Sequence, residues 1–217
     1  MSAPTHWWWV RHAPVPGAPA RLFGQLDVSC DTTDLDAFRA LADIVPEDAI
    51  WIVSSLSRTR ETMAAIAAAG VALPEPVVEP DLCEQNFGAW QGLSWTEMEA
   101  DDPDAYAAFW RDPVQTAPPQ GESYVDHMAR ARSAIQRLTR RYTGRTVVCV
   151  SHGGTIRAAV ATALGLNAST ALALVVDNLS VTRLSYVADT LRRGAGAVWL
   201  VQGVNCPCRW MPPRPPC

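Results

Sequence analysis

The sequence predicts an α/β fold: a three-layer α/β/α arrangement with a mostly parallel central sheet and an edge hairpin. Three observations carry this. Short apolar runs of strand length recur at residues 7–10, 49–53 and 146–150, each ending in a polar turn that leads toward a helical pattern; strands alternating with helices are the pattern of parallel βαβ units. The runs are continuously apolar, which fits strands covered on both faces. Near the end of the chain, residues 181–187 and 197–202 read as two strands joined by a Gly-rich turn, a hairpin at the sheet edge.

The first run, Trp7, Trp8, Trp9 and Val10, stops at Arg11 and His12. A Pro- and Gly-rich loop follows, and then a helix with Thr33 or Asp34 as its N-cap and Leu35, Phe38, Leu41 and Ala42 on one face, ended by Pro46. The run at 49–53 leads through Ser54 and Ser55 to Arg58 at the start of a second helix, with Met63 and Ile66 facing inward and Gly70 just past its end. A short strand is expected at 77–80. Glu84 follows in a loop holding Phe87, Gly88, Trp90 and Gly92; partial burial by the two aromatics would raise its carboxyl pKa, as a general acid requires.

Residues 93–119 read as short helices with Pro-rich links, Phe109 and Trp110 packing inward. Ser123 is the expected N-cap of a long amphipathic helix with Met128, Ala131, Ile135 and Leu138 as its buried stripe. Arg130, Arg132, Arg137, Arg140 and Arg141 are expected on its solvated face. The run at 146–150 is the clearest strand and passes into Ser151, His152, Gly153 and Gly154, where the glycines let backbone approach a ligand. Three strand-to-helix turns thus carry Arg11 with His12, Arg58, and His152, and a parallel sheet brings such turns to one edge. His12 is the candidate nucleophile toward phosphorus.

One unit, residues 1–202, accounts for the chemistry, with 93–119 a helical insertion over the site and 203–217 an irregular tail holding five Pro and three Cys. The length of 217 residues and an apolar fraction of 48% suit one full core. A net charge of −4 argues against a nucleic-acid partner. There is no Lys; every Lys/Arg-type cation is Arg, whose planar fork suits phosphate. No secretory signal and no apolar run of membrane length are visible, so a cytoplasmic location is expected, with Cys30, Cys83 and Cys149 reduced. Cys206 and Cys208 lack a second ligand pair, so no metal site is expected.

Taken together, Arg11-His12, Leu56-x-Arg58 with Thr62, Glu84-x-x-Phe87-Gly88-x-Trp90-x-Gly92, Gly121-Glu122-Ser123 and Ser151-His152-Gly153-Gly154 occur in an order that resembles the histidine phosphatase superfamily. The resemblance spans about residues 7–187. It implies a metal-independent phosphomonoesterase acting through a phosphohistidine on a small-molecule phosphate ester, with no cofactor; α-ribazole-phosphate phosphatases are one similar group. It implies His12 as nucleophile, Glu84 as proton donor, and Arg11, Arg58 and His152 on the phosphoryl oxygens, with Ser55, Gly153 and Asn178 supporting them. Self-association as a homodimer is left open. Two other readings stand beside it: a phosphoglycerate mutase, and a non-catalytic phosphate-binding regulatory module.

This chain departs from the family pattern in three places. Ala13 stands where Gly is usual, which costs stability if that turn needs a positive φ. Pro14, Pro16 and Gly17 replace the usual Thr and Asn, and the Glu84 motif lacks the His-Tyr pair of the mutases. The last point and the chain length favour water as the phosphoryl acceptor.

Overall fold

A computed structural model describes residues 3–17, 20–188 and 198–210. Among the described residues six strands form one sheet: β1 (Thr5–Arg11), β2 (Ile50–Val53), β3 (Val77–Val78), β4 (Thr146–Ser151), β5 (Ser180–Val187) and β6 (Val198–Pro207). Their order across the sheet is β3-β2-β4-β1-β5-β6. The β3-β2, β2-β4 and β4-β1 pairs are parallel, and β5 joins β1 and β6 antiparallel. The mixed sheet and edge hairpin match the sequence expectation.

Helices α1 (Leu35–Ile44) and α2 (Ser57–Ala68) cover one face, where Phe38, Leu41, Met63 and Ile66 join Val10, Trp51, Val53, Val148 and Val150 in one core. Helices α5 (Tyr124–Arg141) and α6 (Gly153–Leu164) cover the other, where Ala134, Ile135, Leu138, Ile156 and Ala159 pack on Trp7, Trp9, Ile52, Val147 and Cys149. Alternation along β1 explains its three tryptophans. Trp7 and Trp9 share a face and stack at 4.9 Å, whereas Trp8 lies 5.1 Å beneath the Arg183 guanidinium. Helices α3 (Trp95–Asp101) and α4 (Pro103–Arg111) form the insertion, started by a Ser94–Glu97 capping box and by Asp102 with Pro103. Trp90, Met98 and Phe109 give it a small core of its own. Helix α7 (Ala168–Leu172) precedes β5.

Several expectations are corrected. Leu35 occupies the first position of α1 and is 60% exposed; burial begins at Ala37. The strand expected at 77–80 is only two residues long, because Pro80 cannot donate to a ladder and instead opens a 3-10 turn over Pro80–Leu82. Ala131, Ile135 and Leu138 are buried as expected, whereas Met128 is only half-buried and Tyr124, His127 and Ala134 join the stripe of α5. Trp110 is exposed rather than inward. The segment expected to be irregular from residue 203 continues β6 to Pro207, since Ser180 and Val181 still offer strand backbone to pair. Cys208 is then buried against α1, and Arg209 forks onto the Asp34 carboxylate at 2.7 and 2.8 Å. Residues 211–217, the Gly-rich turn and Ala197 lie outside the described residues.

Candidate active site

Strands β1 and β4 are adjacent and parallel, with Arg11 opposite Ser151. The next residue on each, His12 and His152, therefore emerges at the same carboxyl-end edge, and their ring centroids are 5.2 Å apart. His12 is fixed from several directions. Its N–H donates to the Ser151 carbonyl at 2.9 Å, and Asn178 Nδ2 donates to its carbonyl at 2.7 Å. The following N–H, of Ala13, donates to Thr62 Oγ1 at 2.9 Å.

The ring of His12 has a defined tautomer. Its Nδ1 is 2.7 Å from the Ala13 carbonyl oxygen, which can only accept, so Nδ1 carries the proton and Nε2 holds the lone pair. Burial, then Arg58, pushes its pKa down to about 3, with Arg11 adding to the effect and the Ala13 carbonyl opposing it. The ring is neutral across the physiological range. Ala13 is not among the residues with positive φ, so replacing the usual Gly carries no left-handed strain; the methyl is buried in the core under α1 and α2.

Two guanidiniums flank this ring. Arg11 Nη1 donates to the Val176 carbonyl at 2.6 Å, and its buried Nε has no partner. Arg58, in the first turn of α2, is 2% exposed and spends its donors on neutral acceptors: the Gly24 and Leu26 carbonyls and His152 Nδ1 at 3.3 Å. Because His152 Nδ1 accepts from Arg58, its Nε2 carries the proton and donates to Ser54 Oγ at 2.8 Å. Burial, then Arg58, holds the His152 pKa well below the ordinary value. Ser54 rather than Ser55 supports this imidazole: Ser55 is exposed and contacts Cys83 Sγ.

Glu84 completes the group. Its Oε1 accepts from the Gln85 N–H at 2.9 Å and its Oε2 from the Gly154 N–H at 3.1 Å. The expected rise in its pKa is not found. Burial pushes it up, but the His127 ring, the Gln85 and Gly154 N–H groups and Arg58 together outweigh burial, and the carboxyl is held below its usual range. His127 itself is driven below its ordinary value by burial. Of the glycine pair, Gly154 is the one whose side-chain space the Glu84 carboxylate occupies. A Cβ there would lie 2.3 Å from Glu84 Oε1, whereas one at Gly153 would meet nothing nearer than Arg11 Nε at 3.6 Å.

Behind Glu84 lies a polar layer that sequence reasoning missed. Arg130, expected on a solvated face, turns inward to the Glu122 carboxylate at 2.5 Å, to His127 Nδ1 at 3.0 Å and to the Glu84 carbonyl at 3.3 Å. Arg137 stays on the solvated face, as expected, and pairs there with Glu79 at 2.9 Å and Asp81 at 3.2 Å. With His127 Nδ1 accepting from Arg130, Nε2 carries the proton and lies 3.9 Å from Glu84 Oε1 without a hydrogen-bond partner. A cavity of about 470 Å³ opens over the site, lined at its floor by Arg11, His12, Arg58 and Glu84. A neutral imidazole with a free lone pair, two guanidiniums that lack carboxylate partners and a fixed carboxylate together can bind a dianion and move one proton.

Comparison with known proteins agrees with this geometry. The pattern of the histidine phosphatase superfamily (branch 1) matches residues 7–193. The chain belongs to the histidine phosphatase superfamily. A glucosyl-3-phosphoglycerate phosphatase of Mycolicibacterium vanbaalenii is 37% identical over 161 residues, 69% of each chain. A metal-independent phosphoserine phosphatase of Arabidopsis thaliana is 32% identical over 154 residues, 69% of this chain and 64% of that one. This histidine phosphatase chain matches 39% of the length of a bifunctional Mycobacterium tuberculosis protein, at 35% identity. Among solved structures, a mycobacterial glucosyl-3-phosphoglycerate phosphatase superposes with a TM-score of 0.75 at 29% identity, covering 94% of this chain and 99% of that one. The α-ribazole phosphatase of Shigella flexneri reaches 0.77 at 19% identity, covering 92% and 96%, a likeness of fold.

Proposed function

We propose that this protein is a metal-independent phosphomonoesterase acting on small phosphorylated metabolites through a phosphohistidine at His12. The single observation that carries the reading is the His12 tautomer, with Nδ1–H held by the Ala13 carbonyl and the Nε2 lone pair left free. Nε2 attacks phosphorus while the bond from phosphorus to the leaving oxygen breaks, and Glu84 gives that oxygen a proton. Arg11 and Arg58 hold the phosphoryl oxygens as charge spreads over them. A bound dianion also opposes the causes that keep His152 neutral, so Nδ1 can gain a proton and donate to the phosphoryl group as Arg58 turns toward it. Water then attacks the phosphohistidine, Glu84 takes its proton, and the electron pair returns to Nε2.

Phosphoserine and glucosyl-3-phosphoglycerate, the substrates in the relatives' names, and α-ribazole phosphate are the metabolites to test first. Among the described residues the thiols of Cys30, Cys83, Cys149, Cys206 and Cys208 are unpaired, which fits the cytoplasmic location that belongs to this reading. Turnover of a phosphoester panel by the purified protein, persisting in EDTA, tests the reading; no turnover of any member would end it.

Glu84 is ionised in the free enzyme, yet the first step needs its proton. The reactive complex therefore holds one proton shared between Glu84 and the phosphate dianion. Because His12 and Glu84 both titrate low, kcat/KM for an alkyl phosphate is expected to stay level from about pH 6 down to pH 5. It then falls about tenfold per unit above the substrate's second pKa of about 6. A loss on the acid side centred near 6.5 would instead mean that His12 titrates like an exposed imidazole.

Gly154→Ala is expected to displace the Glu84 carboxylate and lower kcat for alkyl phosphates by about 100-fold, while Gly153→Ala stays within a few-fold. Steady-state rates of the two variants, with folding checked by circular dichroism, make the comparison.

A further inference from the structure

The cavity over His12 has room for much more than a phosphoryl group, at about 470 Å³. Above its charged floor the lining is aromatic: Phe23, Phe87, Trp95, Phe109, Trp110 and Tyr124. Trp95 and Trp110, from α3 and α4, lie 5.6 Å apart between ring centroids, and Phe109 meets Trp110 nearly edge-on at 5.5 Å. These two tryptophans are nevertheless 40% and 49% exposed. Large apolar side chains left open beside a cavity that leads to a reacting centre mark a surface that a ligand covers.

A second observation points the same way. Tyr124 is only 2% exposed and lines the cavity, yet its hydroxyl has no hydrogen-bond partner among the described residues. Buried hydroxyls are normally matched, so this one is left for an acceptor on a bound molecule. Arg21, a cation on the same lining, is already engaged by Glu97 at 3.0 Å and by the Gly92 carbonyl at 2.7 Å. Arg157, Gln85 and Asn178 also line the cavity, and their Nε, Nε2 and Nδ2 donate to the Leu174, Glu122 and His12 carbonyls, so the outer cavity presents mainly rings and the Tyr124 hydroxyl.

We infer that the preferred substrates are phosphate monoesters whose alcohol carries a planar aromatic ring system, seated against Trp95, Phe109 and Trp110. This rests on the phosphomonoesterase reading and names the substrate class for that site. A flat ring stacks on or meets these side chains edge-on and removes apolar surface on both sides from water. A polyhydroxylated or zwitterionic alcohol would lose water against the same rings without replacement hydrogen bonds.

The test uses esters of primary alcohols, so that leaving-group reactivity is comparable: 2-(1-naphthyl)ethyl phosphate and 2-phenylethyl phosphate against n-propyl phosphate and glycerol 1-phosphate. For the native protein, kcat/KM for the naphthyl ester is expected to exceed that for glycerol 1-phosphate by about 10- to 100-fold, mostly through KM. Trp110→Ala and Trp95→Ala should each reduce that ratio several-fold, and Trp110→Phe should restore most of it. The ratio is read within each folded variant and does not depend on its absolute activity. Equal kcat/KM across the four esters, or ratios unchanged in both alanine variants, would overturn the inference and leave the phosphatase reading standing. No turnover of any of the four would overturn that reading and this inference with it.

Discussion

His12→Ala is expected to lower kcat by roughly 10⁴-fold or more, the scale seen when a nucleophile that works as part of a unit is removed. The loss should be nearly the same for aryl and alkyl phosphates, because every substrate needs the same attack on phosphorus. His12 is a poor candidate for a structural role that would explain such a loss. Its backbone is held by Ser151 and Asn178, contacts that survive the change, and its one ring hydrogen bond goes to the carbonyl of the next residue. Removing a neutral, largely desolvated ring leaves Arg11 and Arg58 in place, so inorganic phosphate should still bind. Rate measurements with phosphate binding by calorimetry separate the two effects. A variant that binds phosphate and keeps more than a tenth of native kcat would show that the attacking group lies elsewhere.

Glu84→Gln has the second largest expected effect, and its signature is a dependence on the leaving group. For an alkyl phosphate the departing oxygen needs a proton, and the loss should be about 10²- to 10⁴-fold. For 4-nitrophenyl phosphate the departing phenolate is stable without one, so the first step should stay fast. The second step still needs a base to take the proton from water. The variant should therefore release a burst of one nitrophenolate per enzyme and then turn over slowly, with phosphoenzyme accumulating. Stopped-flow absorbance reads this directly. Equal losses for both esters without a burst would remove Glu84 from both proton transfers.

The residues gathered at the candidate site are legible in the sequence to different degrees, and the differences have physical causes. Strands β1 and β4 declare themselves through apolar runs, and a parallel pairing in register is enough to bring Arg11, His12 and His152 together. Contacts that depend on side-chain direction within a turn were not legible. Ser54 and Ser55 are adjacent and chemically identical, and the twist of the chain leaving β2 aims only the first at His152. Gly153 and Gly154 are likewise indistinguishable until the Glu84 carboxylate is seen against one of them.

The lowered Glu84 pKa is not legible because the sequence shows the aromatics that could bury a carboxyl but not the N–H groups that bond it. Trp90 is buried in the insertion's own core instead, while Gln85 and Gly154 face the carboxylate. Arg130 was misplaced for a related reason. Helical periodicity puts it beside the buried stripe, and only the long side chain's path inward, toward Glu122 and His127, leaves it partly buried. The edge of the sheet was underestimated because Pro and Cys after residue 203 read as irregular. The pairing of Val181 with Cys206 shows that an unpaired strand can recruit such a segment as far as its first proline.

The most direct test of the account is to mix the native protein with a phosphomonoester, quench within one turnover in alkali, where phosphohistidine survives, and locate any transferred phosphoryl group by peptide mass spectrometry. The account predicts one phosphoryl group on His12, absent from His12→Ala and increased in Glu84→Gln. A phosphoryl group on His152 or on any other side chain, or product formed with no phosphoenzyme in either native protein or Glu84→Gln, would contradict it.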